Sequence, residues 1–230
     1  MDTTPPHDSN SRELLQRAIE AGLQFVPGIG GALAVTFVTA VTWRLNQKRE
    51  EWLRALAEGV EDLRQQLGDI DLDALVSDGR FTDAVVSAAR TVEHTHQTDK
   101  LDALRNAVLN SVGPDAPDAD TQSIFMNMVD RFTPSHLRML ALWDDPPAWF
   151  SSHSLPYPTS SGNRARTVEA ALPEMQGQGQ LITLIAGELK TAQLLTADMA
   201  GIVSDQGMMQ RLTTDFGRQL LRFISPSPVG

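Results

Sequence analysis

The chain has 230 residues, a net charge of −10 and no cysteine, a length that allows one large domain or two small ones. The acid excess argues against a general nucleic-acid binder, whose affinity comes from many Lys and Arg set against phosphates. The missing cysteine excludes disulfides, thiolate metal sites and thiol nucleophiles.

Leu, Ala, Val and Met carry the apolar content rather than aromatics. That mixture favours helix over sheet, because Ala and straight side chains lose little freedom on entering a helix. Residues 1–10, with Pro5, Pro6 and Asp8, read as a disordered tail. They lack the basic start and early apolar run of a secretory signal, so a cytoplasmic location is expected, with peripheral or inner-membrane association as the alternative. From Ser11 to Phe25, Leu14, Leu15, Ile19 and Leu23 recur at helical spacing until Pro27, Gly28, Gly30 and Gly31 break the run. A long helix is then expected from near Gly31 to near Leu67. Leu45, Trp52, Leu56, Val60, Leu63 and Leu67 share one face of it, and Arg44, Lys48, Arg49, Glu50 and Glu51 crowd the other side. Gly68-Asp69 ends it.

Shorter helical patterns follow. Leu72 to Val76 is one. Phe81 to Thr95 carries Val85, Ala88, Ala89 and Val92, and Thr98 to Val112 has Thr98 as a cap and Leu101, Leu104, Val108 and Leu109 as its stripe. Pro114 and Pro117 mark a turn before Thr121 to Phe132. Thr133-Pro134 opens the next helix as cap and first helical residue, and Pro146-Pro147 stops it. Residues 151–163, rich in Ser, Pro and Gly, read as a linker loop. Helices are expected over Arg164 to Met175 and Leu181 to Leu195, separated by Gly177 to Gly179. Met199 to Val203 and Met208 to Leu212 flank Asp205 to Gly207 and read as a small hairpin. Thr213 or Thr214 caps a last helix that ends at Ile224. There is no internal repeat at a fixed period.

At Lys100 to Asn110 (K-L-D-A-L-R-N-A-V-L-N) and Phe125 to Arg138 (F-M-N-M-V-D-R-F-T-P-S-H-L-R) the chain resembles a group of bacterial proteins of uncharacterised function. The likeness extends to Arg49 to Leu53 and to the ending Thr214 to Ile224 with Gly217; it is fullest over residues 25–150. It implies a helical bacterial family and carries no activity, so no catalytic residue follows from it.

Several motifs invite a chemical reading. Gly28-Ile29-Gly30-Gly31 lacks the Lys-Ser or Lys-Thr of a phosphate loop, since Ala32 and Leu33 follow, and reads as a helix-breaking turn. His94 and His96, two apart, fall on roughly opposite sides of a helix, whereas a metal-binding pair uses a spacing of four. His136 lies in a helical first turn. His153 sits in a loop beside Ser151, Ser152 and Ser154 without a nucleophile elbow. Asp69, Asp71 and Asp73 mimic a calcium loop, but Ala74 and Arg80 stand where Gly and Glu are required. Glu188-Leu189-Lys190 and Pro114-Asp115 echo a nuclease pattern, yet the first falls inside a helix and not on a strand.

The fold expected is all-α, with a helical domain over 11–150 and a winged-helix-like unit with a short β-hairpin over 164–225. The function expected is non-catalytic association with a protein partner or with itself, through the face Leu45, Trp52, Leu56, Val60, Leu63 and Leu67. No catalytic residue, metal, cofactor or small-molecule substrate is expected, and nucleic acid is disfavoured. One alternative arises from Ala21 to Trp43, uncharged over about 23 positions, enough to span a bilayer core of roughly 30 Å, and followed by Arg44, Lys48 and Arg49. Its apolar members Phe25, Ile29, Leu33, Val35, Phe37, Val38, Val41 and Trp43 would serve a membrane-inserting effector of a bacterial defence or toxin-like system. A winged-helix transcriptional regulator is the other alternative.

Overall fold

The computed structural model describes residues 31–67, 72–112, 115–158 and 162–226. The expected tail, the helix Ser11 to Phe25, the turn at Pro27 to Gly30, and Phe25, Ile29, Gly68, Asp69 and Asp71 lie outside the described residues, as do the side chains of Leu33, Val35, Phe37, Val38 and Leu67. Helix dominates what is described, as the composition requires. Two compact units divide the chain, Met1–Arg54 and Ala55–Gly230.

In the first unit the described residues belong to one helix, α1, Gly31–Leu67, whose last turns belong to the second unit. The second unit continues with α2 Leu72–Ser77, α3 Gly79–His94, α4 Thr98–Leu109, α5 Ala119–Arg131, α6 Pro134–Asp144 and α7 Pro146–Ser152. Asp78 and Asp118 start α3 and α5 by accepting the Arg80 and Thr121 N–H groups at 2.8 and 3.0 Å, supplying acceptors that helix starts lack. Those bonds hold both carboxyls below the usual carboxylate range, Asp78 chiefly through the Arg80 side chain and Asp118 through the Thr121 N–H. Thr98 is the first residue of its helix; the cap position is Gln97, which makes no side-chain cap bond. Thr133 caps α6 as the sequence predicts. Pro146 does not simply stop α6: it occupies the first turn of α7, with the Asp145 carboxylate accepting the Ala148 N–H at 3.0 Å.

After β1 Gly162–Asn163 come α8 Arg164–Ala171, a 3-10 turn Pro173–Met175 where Pro173 breaks the expected longer helix, and α9 Gly179–Thr191. Then follow β2 Ile202–Val203, the short α10 Asp205–Met208, and α11 Asp215–Ile224, capped by Thr214. The hairpin expected between Met199–Val203 and Met208–Leu212 is not the pairing found. Ile202 and Val203 pair antiparallel with Asn163 and Gly162, and Leu195 bridges Thr213. The Thr196 N–H to Leu212 carbonyl and Thr214 N–H to Leu194 carbonyl bonds, at 2.8 and 3.0 Å, extend that bridge. Asp205 to Gly207, expected as a turn between strands, instead starts α10.

Helices α3, α4 and α5 pack on one another, α11 lies against α4 and α6, and α9 lies against α6 and α8. Ala88, Val92, Leu104, Val108, Phe125, Val129, Phe132, Leu140, Leu142, Trp143 and Phe150 are fully buried. Phe125 receives Phe216 and Phe223 of α11 at ring distances of 4.9 and 5.6 Å. The last carbonyls of a helix have no partner within it; here α4 supplies donors. The Asn106 amide donates to the Ile224 carbonyl at 3.1 Å, and the Asn110 amide donates to Phe223 and Ser225 at 2.9 and 2.8 Å. Gly217 permits the close approach of α11 to the end of α9: a β-carbon there would lie 2.5 Å from the Leu194 carbonyl oxygen.

Candidate functional site

The first surface to consider is the apolar face of α1. Residues three, four and seven apart share a side of a helix, so Val41, Leu45, Trp52, Leu56, Gly59 and Leu63 form one line. The structure divides it. Trp52 and Leu56 are both 5% exposed, and Val60 and Leu63 are half-buried. At Gly59 the helix runs so close to α4 that a β-carbon would meet Leu109 Cδ1 at 2.7 Å and Arg105 Nη2 at 2.9 Å. Leu56 and Gly59 are therefore part of the second unit's core, not a free surface. Toward the amino end the same line emerges: Leu45 and Val41 are each 41% exposed. Trp43, two residues from each, is 52% exposed, with the Arg44 guanidinium 5.4 Å from its ring centre. Among the described residues no helix is long and apolar enough to cross a membrane.

The second is a buried polar cluster around His136, which is 6% exposed and stacks on Phe132 at 5.0 Å. The Thr133 N–H donates to His136 Nδ1 at 3.3 Å, and the Thr133 hydroxyl lies 2.8 Å from the same nitrogen. Its Nε2 is 3.1 Å from Glu188 Oε2. An Nδ1 that accepts from the backbone leaves the proton on Nε2, which donates to the carboxylate. Burial pushes the His136 pKa down, against the opposing pull of Glu188. A hydroxyl, an imidazole and a carboxylate in series suggest an activated nucleophile. Here the series has a local purpose: Thr133 and His136 cap the start of α6 reciprocally, His taking the place Glu or Gln usually has in a capping box. Nearby, buried Lys100 donates to the Asp130 carbonyl, and the Thr91 hydroxyl donates to the Asp130 carboxylate at 2.8 Å. Burial pushes Lys100 down, with Asp130 opposing. Arg138 bridges Asp99 and Glu174 at 2.6 and 2.8 Å.

The polar residues of the segments Lys100 to Asn110 and Phe125 to Arg138 thus act largely as ties within the fold. Lys100, Asn106, Asn110, Asp130, Thr133, His136 and Arg138 each join one element to another or cap a helix. Sequence reading missed the His136–Glu188 contact, which spans 52 positions and leaves no local signal; the Thr133-Pro134-Ser135-His136 start of α6 signals only the cap. His94 and His96 are both exposed. His153 stacks on Trp149 at 4.2 Å, with Nδ1 2.8 Å from the Trp149 carbonyl. Among the described residues no three His, Asp or Glu side chains converge to hold a metal.

The third surface is the outer side of α9. Leu181 and Leu184 are exposed, and the open groove beside them, about 480 Å³, is lined by Arg131, Thr183, Leu184, Gly187, Glu188 and Thr191. The Thr183 and Thr191 hydroxyls donate to carbonyls one turn back. Lys190 pairs with Asp198 at 2.9 Å. This face offers an apolar ridge with little net positive charge.

Compared with known proteins, the chain matches no family model, no curated protein and no solved structure.

Proposed function

We propose that the protein works by association rather than by catalysis, and that its contact element is the amino-terminal half of α1. The observation that carries this reading is the emergence of an apolar line from the core. The side that buries Trp52 and Leu56 continues through Leu45 and Val41 into solvent. Exposed apolar side chains set singly need no explanation, but an ordered row on a long helix is what partner-binding helices present. The occupant is a macromolecular surface, either a protein, a second copy of the chain or a membrane as an inserting effector would require. The test replaces Val41 and Leu45 together by Glu. Both are exposed, so unfolding of the second unit should be unchanged, while self-association by light scattering, or capture of a partner, should be lost. Association that survives the double replacement refutes the assignment.

A winged-helix-like regulator remains a second reading. It is favoured by the order α8, α9, the Leu195–Thr213 bridge and α11, which follows the helix, helix, wing, helix order of such units. The outer side of α9, with Leu181 and Leu184 exposed and Lys190 paired to Asp198, suits a protein surface better than phosphates. A DNA mobility shift that weakens with salt would favour the regulator; no shift at low salt would dismiss it.

A further inference from the structure

We infer that the amino-terminal half of α1 docks on an anionic lipid surface, a partner for the contact element proposed above and therefore resting on that proposal. Three observations converge. From Gly31 to Trp43 the helix bears no charged residue, and the charges that follow, Arg44, Lys48 and Arg49, are all positive, with the first carboxylate at Glu50. This basic group stands in a chain of net charge −10, so it is a local feature and not a trend of composition. Second, Val41 and Trp43 are both exposed, at 41% and 52%. Two residues apart on a helix is a turn of roughly 200°, so apolar side chains face outward on opposite sides. A groove in a protein covers one stripe of a helix, whereas a lipid phase surrounds it. Third, Trp43 stands at the boundary between the uncharged and basic stretches, with the Arg44 guanidinium over its ring. Trp and basic side chains take that order at the interface between hydrocarbon and headgroups.

The described part of the uncharged stretch Ala21–Trp43, the helical Gly31–Trp43, is about 20 Å long, shorter on its own than the roughly 30 Å hydrocarbon core. Docked on one leaflet, it sets Trp43 and Arg44 at headgroup level and Lys48 and Arg49 about one turn further out among the phosphates.

The test uses the full chain with vesicles of phosphatidylcholine alone and with about one third phosphatidylglycerol, read by flotation. Binding is expected to the anionic vesicles, to weaken with salt, and to be much poorer on the neutral ones. Replacing Arg44, Lys48 and Arg49 together by Glu should lower partitioning by roughly a hundredfold or more. Val41→Ser, which changes no charge, should lower it as well. Circular dichroism checks that both variants keep their helix. Equal binding to the two vesicle types, or by the charge-reversed chain, overturns the inference. Failure to bind vesicles, together with an oligomer that the Val41 and Leu45 replacements abolish, overturns it while the association reading stands with protein as the occupant. Loss of both signals overturns the two together.

Discussion

Gly217 and Gly187 are both helical glycines, and the structure assigns opposite signs to their replacement by alanine. In an open helix interior, Gly→Ala is worth about 0.5–1 kcal/mol of stabilisation, because alanine loses less backbone freedom on folding. At Gly187 of α9 a β-carbon meets nothing within 4 Å, so that gain should appear in full. At Gly217 the β-carbon would lie 2.5 Å from the Leu194 carbonyl oxygen and 2.7 Å from Thr213 Cγ2. The first of these is backbone and cannot rotate aside, so α11 must move away from the end of α9. Overpacking of this kind costs about 1–3 kcal/mol. The same movement stretches the 2.9 Å bond by which the Thr214 hydroxyl accepts the Gly217 N–H, a cap worth about 1 kcal/mol. It also loosens the Phe125–Phe216 contact, whose rings are 4.9 Å apart. With the alanine gain set against these terms, Gly217→Ala should destabilise by roughly 1–3 kcal/mol while Gly187→Ala stabilises. Urea unfolding of each variant, at constant slope, measures both. A Gly217→Ala chain as stable as Gly187→Ala refutes the reasoning.

Asn110→Ala leaves the Phe223 and Ser225 carbonyls without their donor and should cost about 1–3 kcal/mol by chemical denaturation; Asn110→Asp, which brings an acceptor to the negative end of α11, should cost more. Arg138→Ala removes two ion pairs, yet its partners are nearly half exposed, so the loss should be under about 1 kcal/mol, far below that of Asn110. His136 is held neutral in the fold, with a pKa below its ordinary 6.5. The unfolded chain therefore binds the proton first, and the contribution of His136 is complete above neutrality and lost as pH falls below about 6.5. Stability measured from pH 7.5 down to pH 5 should decline, and His136→Gln, which can keep the reciprocal cap without titrating, should flatten that part of the profile. An unaltered profile in the variant assigns the decline to other groups.

What the sequence disclosed was mostly local. Thr133-Pro134 announced the start of α6, Thr214 that of α11, and Leu72 to Val76 a short helix, because caps and apolar spacing act within one or two turns. Boundaries moved where a nearby residue had two possible roles. Pro146 can end one helix or open the next, and the Asp145 carboxylate decides for the second. The face of α1 was legible as a face but not as to what covers it: Trp52 and Leu45 have the same spacing in sequence, and only the approach of α4 at Gly59 marks where core takes over. Least legible were contacts between distant parts. Ile202 and Val203 pair with Gly162 and Asn163, not with the nearer Met208 to Leu212, and His136 meets Glu188. Neither partner leaves a periodic trace, since the choice depends on how α6, α8 and α9 stack.

The amides of Asn106 and Asn110 receive the final turn of α11, so an early segment waits for a late one. Phe125, already in place, likewise waits for Phe216 and Phe223. A chain emerging from the ribosome can assemble α3, α4 and α5 but cannot seal them until residues up to Ser225 are free. Acquisition of protease resistance should therefore lag behind synthesis of the bundle, and shortening the chain before Asp215 should leave the phenylalanine pocket open to water.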